Sequence, residues 1–228
     1  MVCSIPYRMV DGHIIVTSDD GKTCLIDTGS HVSVGDSESL LFAGTSYALT
    51  PSLMGHAAHE LTGPIGVRID VLVGADILNR YDMLIDPVRQ VLEFSEEEHD
   101  VEGETLSIEL LSGVPVQGAD LGGKRVRVFF DTGAPVCYAR EEILQAFPRV
   151  GTANDFYITC GAFQTSLYRV PVTLGSRSLS LDIGALPPDL QERLLKFDVE
   201  GILGTALLEY FIVSYQPRRK RILLINRG

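Results

Sequence analysis

Apolar and polar positions alternate from the start of the chain. Ile5, Tyr7 and Met9 share one phase of a period of two, and His13-Ile14-Ile15-Val16 follows as a mostly apolar run. Both read as strands, with Asp11-Gly12 as the hairpin turn between them. A second turn signal, Asp19-Asp20-Gly21-Lys22, leads into the strand Thr23-Cys24-Leu25-Ile26. The same order recurs later: Leu106-Ser107-Ile108-Glu109-Leu110-Leu111, a turn near Gly122-Gly123-Lys124, then Val126-Arg127-Val128-Phe129-Phe130. Period-3.6 patterning is scarce. It predicts one helix over Arg140–Phe147, stopped by Pro148, and a short amphipathic one opened by Pro187-Pro188-Asp189, with Leu190, Leu194 and Leu195 on one side. Leu40-Leu41-Phe42, Phe156–Cys160 and Ser166–Leu174 read as further strands.

The two strand blocks end in one phrase. Leu25-Ile26 runs into Asp27-Thr28-Gly29-Ser30, and Phe129-Phe130 into Asp131-Thr132-Gly133-Ala134. A second motif follows each: Val71-Leu72-Val73-Gly74 after Asp27 and Gly201-Ile202-Leu203-Gly204 after Asp131. Beyond the glycines the copies stay in step, with Leu78 matching Leu208, Tyr81 Phe211, Met83 Val213, Ile85 Tyr215 and Leu92 Ile222. Two units of small-domain size mean two related lobes rather than a solenoid. We place them at residues 1–97 and 98–228. The acidic, nearly apolar-free stretch from Ser95 to Glu104 forms the linker.

The paired hydrophobic-hydrophobic-Asp-Thr-Gly-Ser/Ala motifs, each followed by apolar residues and a glycine, resemble the aspartic protease family. Lobe size is similar to that of the retroviral type, and the single-chain layout to a reduced pepsin. The resemblance implies an all-β fold of two barrel-like lobes related by a pseudo-twofold axis, with few short helices and a cleft between the lobes. It implies Asp27 and Asp131 as the catalytic pair and Thr28 and Thr132 as residues that bond across to the opposite loop. It also implies apolar preference on both sides of a cut peptide bond. Gly29 and Gly133 allow tight turns beside the carboxylates, and Gly74 and Gly204 pass under the loops where a side chain would collide. Thr205 stands where a helix can start.

Elementary chemistry agrees with that function. Hydrolysing an amide without a metal or a nucleophilic side chain needs a base to activate water and an acid for the leaving nitrogen. Two close carboxylates cannot both ionise readily, so they share a proton and divide those roles. Ser30 is expected to donate its hydroxyl to Asp27, whereas Ala134 offers no such donor. The mixture suggests a less acidic pH optimum than pepsin's.

The lobes differ between their motifs. Asp27 and Gly74 are 47 residues apart, Asp131 and Gly204 73. A flap over the cleft is therefore expected from the second lobe, with its tip at Gly161-Ala162-Phe163-Gln164-Thr165. Gly44-Thr45-Ser46-Tyr47 forms a shorter candidate tip in the first. Gly161, Phe163 and Tyr47 are the flap candidates.

Composition narrows the partners. Hydrophobic residues make up 45% of the 228, which suits a real core, and no apolar run reaches membrane-spanning length. The net charge of −11 argues against nucleic acid. Residues 1–98 carry five Lys and Arg against fifteen Asp and Glu, and residues 99–228 fourteen against fifteen. This asymmetry reads as a solvated acidic face, or as a cleft wall that attracts basic substrates. The basic run Arg218-Arg219-Lys220-Arg221 reads as a turn into the final strand, Ile222–Ile225. Cys3, Cys24, Cys137 and Cys160 show no metal or CxxC spacing and read as reduced. His56-Ala57-Ala58-His59-Glu60 lacks the order and third ligand of a zinc site. No metal or cofactor is expected. The start of the chain lacks a signal peptide or prosegment, so a cytoplasmic location is expected, and two complete lobes in one chain make a monomeric endopeptidase acting on a peptide or protein the expectation. The competing reading is a catalytically silent protease-like module that grips a peptide or protein partner, or serves only as an interaction domain.

Overall fold

The computed structural model describes residues 2–158 and 160–227. It is mostly strand, 52% against 14% helix, arranged about a pseudo-twofold axis. Six antiparallel strands form a sheet shared by both halves, in the order Val2–Val10, Val91–Ser95, Asp82–Asp86, Phe211–Gln216, Arg221–Asn226, Glu104–Leu111. At its centre Met83 pairs with Tyr215, Leu84 with Ser214 and Ile85 with Val213. Positions 84 and 214 are equivalent in the repeat, so the axis passes between them.

Outside this sheet the lobes are built alike. In the first, Val2–Val10 turns into His13–Thr17, which pairs with Thr23–Ile26, and that strand runs parallel to Val71–Val73. In the second, Glu104–Leu111 turns into Val114–Leu121, then Lys124–Phe130, which runs parallel to Gly201–Leu203. The strand before Asp27 is buried on both faces from Cys24 to Ile26, whereas the strand before Asp131 alternates, burying Val126, Val128 and Phe130.

Each lobe's first hairpin docks on the other lobe. The Gly12 carbonyl accepts the Thr205 hydroxyl at 2.5 Å, and the Gly113 carbonyl accepts Asn79 Nδ2 at 2.8 Å. Asn79 also accepts the hydroxyl of the wholly buried Tyr215 at 2.6 Å. Both turns require left-handed backbone, supplied by Gly12 at φ 78° and Gly113 at φ 91°. A Cβ on Gly12 would also lie 2.5 Å from that of Pro135. One core cluster runs through both lobes, with Phe42 and Tyr81 edge-on to Phe94 and Phe130 against Tyr215.

The lobes part between their motifs. The second carries a three-stranded meander, Arg149–Tyr157, Gly161–Leu174 and Arg177–Ala185. The first has only the short hairpin Ser39–Phe42 with Thr45–Ala48, a separate two-stranded sheet, then a 3-10 turn Ala58–Leu61 and a single helical turn Thr62–Ile65. The helix expected over 140–147 is confined to Glu141–Leu144, because the chain tightens at Phe147, whose N–H donates to the Leu144 carbonyl. The helix Pro188–Leu195 buries Leu190 and Leu194.

The linker is pinned rather than loose. Arg219 and Arg221 pair with Glu98, Arg218 reaches the Glu96 carbonyl, and the Gln216 amide donates to the His99 carbonyl at 3.1 Å. The basic run before the last strand thus answers the acidic linker. Arg218 and Arg219 also meet the wholly buried carboxylate of Asp82. Among the described residues no helix is long and apolar enough to cross a membrane, and no cluster of metal-ligating side chains is present. His56 pairs with Glu60 and His59 with Asp36.

Candidate active site

Asp27 and Asp131 stand at the ends of matched strands, on the floor of a cleft of about 310 Å³ between the lobes. The Asp27 N–H donates to the Val73 carbonyl and the Asp131 N–H to the Leu203 carbonyl, both at 3.0 Å. The loops then turn back under themselves. The Ala75 N–H donates to the Ser30 carbonyl and the Thr205 N–H to the Ala134 carbonyl, both at 2.8 Å. That close crossing leaves no room for a side chain. A Cβ on Gly74 would lie 2.6 Å from the Val32 carbonyl oxygen, and one on Gly204 2.5 Å from that of Val136.

The two loops are tied to each other by a reciprocal set of bonds. The Thr28 N–H donates to the Thr132 hydroxyl and the Thr132 N–H to the Thr28 hydroxyl, each at 3.0 Å. The Thr28 hydroxyl donates to the Phe130 carbonyl and the Thr132 hydroxyl to the Ile26 carbonyl, each at 2.8 Å. Both threonines are buried. Gly29 faces the carboxyl of Asp131, and a Cβ on Gly133 would stand 2.5 Å from the carboxyl carbon of Asp27. Glycine at both positions is what lets the acids approach.

The carboxyls face each other, close enough for each to shift the other's acidity. Asp27 Oδ1 accepts the N–H groups of Gly29 at 2.9 Å and Ser30 at 3.0 Å, and Asp131 Oδ1 that of Gly133 at 2.8 Å. Burial dominates their acidity. It pushes Asp27 well above the ordinary carboxylate range, aided by the charge of Asp131 and opposed by the backbone donors. Asp131 is raised too, by burial first, with Asp155 adding to the rise and His13 opposing it. Two acids so close titrate as one unit.

One expectation about Ser30 fails. Its hydroxyl donates to the Val32 carbonyl at 2.9 Å, inside its own loop, and only its backbone N–H reaches Asp27. The Ser30/Ala134 difference therefore leaves the side-chain donors to the two acids alike.

The flap hairpin comes from the second lobe. Asn154 to Ile158, Ala162 and Phe163 line the cleft above the acids. Its turn lies earlier than the sequence suggests. Phe156 pairs with Ala162 and Tyr157 with Gly161, so residues 161–165 form the returning strand, entered through Gly161 at φ 71°. Thr159, which falls in the expected strand 156–160, lies outside the described residues. Tyr47 is not a flap residue. It is buried in the first lobe, where its hydroxyl meets that of Tyr81 and Arg80 sits over its ring. The hairpin around Gly44 sends Leu40 and Phe42 into the core instead of covering the cleft.

Four cleft residues escaped the sequence reading: His13, Tyr138, Asp155 and Tyr157. Tyr157 lies close enough to the acids for their charges to add to the effect of burial, which pushes its phenol up to about 12. A tyrosine on the outgoing strand of the longer hairpin was the available signal. The others carry none, because chain segments far apart bring them together.

No model of a known protein family matches the sequence, and no curated protein does. Solved structures match the fold. The aspartic proteinase from Irpex lacteus aligns over 100% of this chain and 98% of its own, with a TM-score of 0.55 and 12% identity. The solution structure of the protease of Simian Foamy Virus (mac) matches 39% of this chain and 86% of its own, at 19% identity and a TM-score of 0.30. The chain has the pepsin-like aspartic proteinase fold.

Proposed function

We propose that the chain is an aspartic endopeptidase in which Asp27 and Asp131 are the catalytic pair. One observation carries the reading: two half-buried carboxyls, set face to face by the threonine cross-bonds, form the floor of a cleft lined by a hairpin. With one proton between them, the ionised carboxylate takes a proton from a water held against the pair. That water attacks the peptide carbonyl, while the other carboxyl protonates the developing oxyanion. The acid formed in the first step then protonates the departing amine, and the other carboxylate takes back a hydroxyl proton as the tetrahedral diol collapses to the carboxyl product, which restores the pair. A peptide reaches the pair as an extended strand beneath Tyr157 and Phe163. Both acids come from one chain, so one copy suffices.

Burial and the nearby Asp155 charge raise the pair, and this is the basis for a working range less acidic than pepsin's. The test is cleavage of a complex peptide mixture between about pH 3 and pH 8, with Asp27→Asn and Asp131→Asn as controls. Cuts that vanish in both variants establish the mechanism. A rate peaking near pH ~3 and gone by pH ~6 would refute the working range. A folded protein that cuts nothing at any pH is a peptide-binding module instead.

A further inference from the structure

The cleft is chemically lopsided, although its frame is symmetric. His13 opens the second strand of the first lobe, opposite Val10, and its mate in the other lobe is Val114, opposite Leu111. Tyr138 pairs with Ile202, and its mate Val34 with Leu72. Each lobe thus has a valine where the other has a histidine or a tyrosine, Val114 against His13 and Val34 against Tyr138. Asp155 has no mate, since the long flap occurs once. On the opposing side the lining is Leu25, Leu61, Ile65 and Leu72.

The polar residues form a built group. The Tyr138 hydroxyl donates to Asp155 Oδ2, and the Phe156 N–H to Asp155 Oδ1 at 2.7 Å. His13 is 9% exposed and lines the cleft, and its buried Nδ1 has no hydrogen-bond partner. A buried ring nitrogen without a partner costs free energy unless something occupies the space before it. The residues lining the cleft include four carboxyl groups, Asp11, Asp27, Asp131 and Asp155, and no lysine or arginine. Arg193 acts on the Tyr157 phenol, and its guanidinium lies 3.9 Å from Met54 Sδ. Burial pushes the Asp155 carboxyl up, opposed by its Tyr138 and Phe156 hydrogen bonds and by His13.

We infer that His13, Tyr138 and Asp155 form a subsite for an arginine or lysine side chain of the substrate, beside the scissile bond. The inference rests on the endopeptidase reading and names its substrate class: a polypeptide with a basic residue on one side of the cut and an apolar one on the other. The aliphatic stem of the side chain packs on Phe156 and Phe163, and its cationic head meets Asp155, with His13 Nδ1 as a further acceptor. Tyr138, already donating to Asp155, holds the carboxylate in place. Asp155 and His13 are specificity residues, separate from the acids that do the chemistry.

The test uses octapeptides with arginine, lysine, norleucine or glutamate placed at each position of an apolar background, with cuts read by mass spectrometry. The wild-type protein should prefer arginine or lysine over norleucine by about tenfold or more at one position flanking the cut. Asp155→Asn, which keeps the shape, and His13→Val, which copies the other lobe, should each bring that ratio down several-fold. No basic preference at any position, or one unchanged in both variants, overturns the inference. A wild-type protein that cuts nothing defeats the endopeptidase reading alone. The subsite is then read by calorimetry with the same uncut peptides, and equal affinity for arginine and norleucine peptides overturns it as well.

Discussion

Thr28 and Thr132 lie 104 residues apart, yet each takes the other's backbone N–H on its own hydroxyl. Each hydroxyl then donates to the carbonyl of the residue just before the other lobe's aspartate. The mutual position of Asp27 and Asp131 is therefore set by four buried hydrogen bonds crossing the axis, independent of the flap or the cleft walls.

Thr132→Val keeps the shape and removes the hydroxyl. It strands the Thr28 N–H and the Ile26 carbonyl in the interior, at about 1–3 kcal/mol for each unsatisfied group. The acids lose their registration, and misplacement of about 1 Å costs on the order of a hundredfold in rate. Urea unfolding together with kcat/KM on a cleaved peptide should show both losses. Lost stability with unchanged kcat/KM would mean that the acids are held by other contacts.

The acids should cost stability at neutral pH. Both carboxyls are raised in the fold, so between the unfolded value near ~4 and their folded values the native state binds more protons than the unfolded chain. Their contribution is full below that window and falls as pH rises through it. Asp27→Asn removes one ionisation and keeps an acceptor for the Gly29 and Ser30 N–H groups. It should raise the thermal midpoint at pH 7 and change it little at about pH 3.5. An equal shift at both pH values would assign the effect to something other than ionisation.

Tyr157 covers the acids from the flap. Tyr157→Ala should lower kcat/KM by about ten- to a hundredfold through loss of substrate positioning and water exclusion. Tyr157→Phe should lose less, because the ring remains. Equal losses in the two variants would place the whole effect on the hydroxyl.

Arg218 and Arg219 both meet Asp82, whose side chain is wholly buried. Replacing both arginines by alanine leaves that carboxylate without a cation and should destabilise the protein by about 3–5 kcal/mol. Asp82→Asn in the same background should recover part of the loss, since it removes the buried charge. Denaturant titration of the triple and double variants measures the recovery. No recovery would mean that the arginines act by packing alone.

Much of the frame was legible in the primary structure because it rests on local rules. Strand periodicity, the Asp11-Gly12 turn and the Pro188 helix start need only neighbouring residues, and the repeated spacing of the two motifs implied a pair of lobes. The cleft's extra residues were not legible. His13 reads as one end of an apolar strand, and Tyr138 and Asp155 carry no local signal at all. Ser30 shows the limit within a motif: its hydroxyl had two acceptors in reach, the carboxylate and the Val32 carbonyl, and loop geometry chose the second. Tyr47 shows it for an element: a hairpin was correctly suspected, but its aromatic face turned into the core, because Leu40 and Phe42 bury more apolar surface there than a flap would allow.

By itself the sequence determined the all-β frame, the two Asp-Thr-Gly loops and the glycines that let them cross, because turn geometry and close backbone approach are written in single residues. Only the tertiary structure decided what surrounds the acids. The flap's register, the threonine cross-bonds, the pairing of the basic turn with the acidic linker, and the one-sided cluster of His13, Tyr138 and Asp155 all join residues remote in the chain. Their chemistry exists only once the lobes have packed.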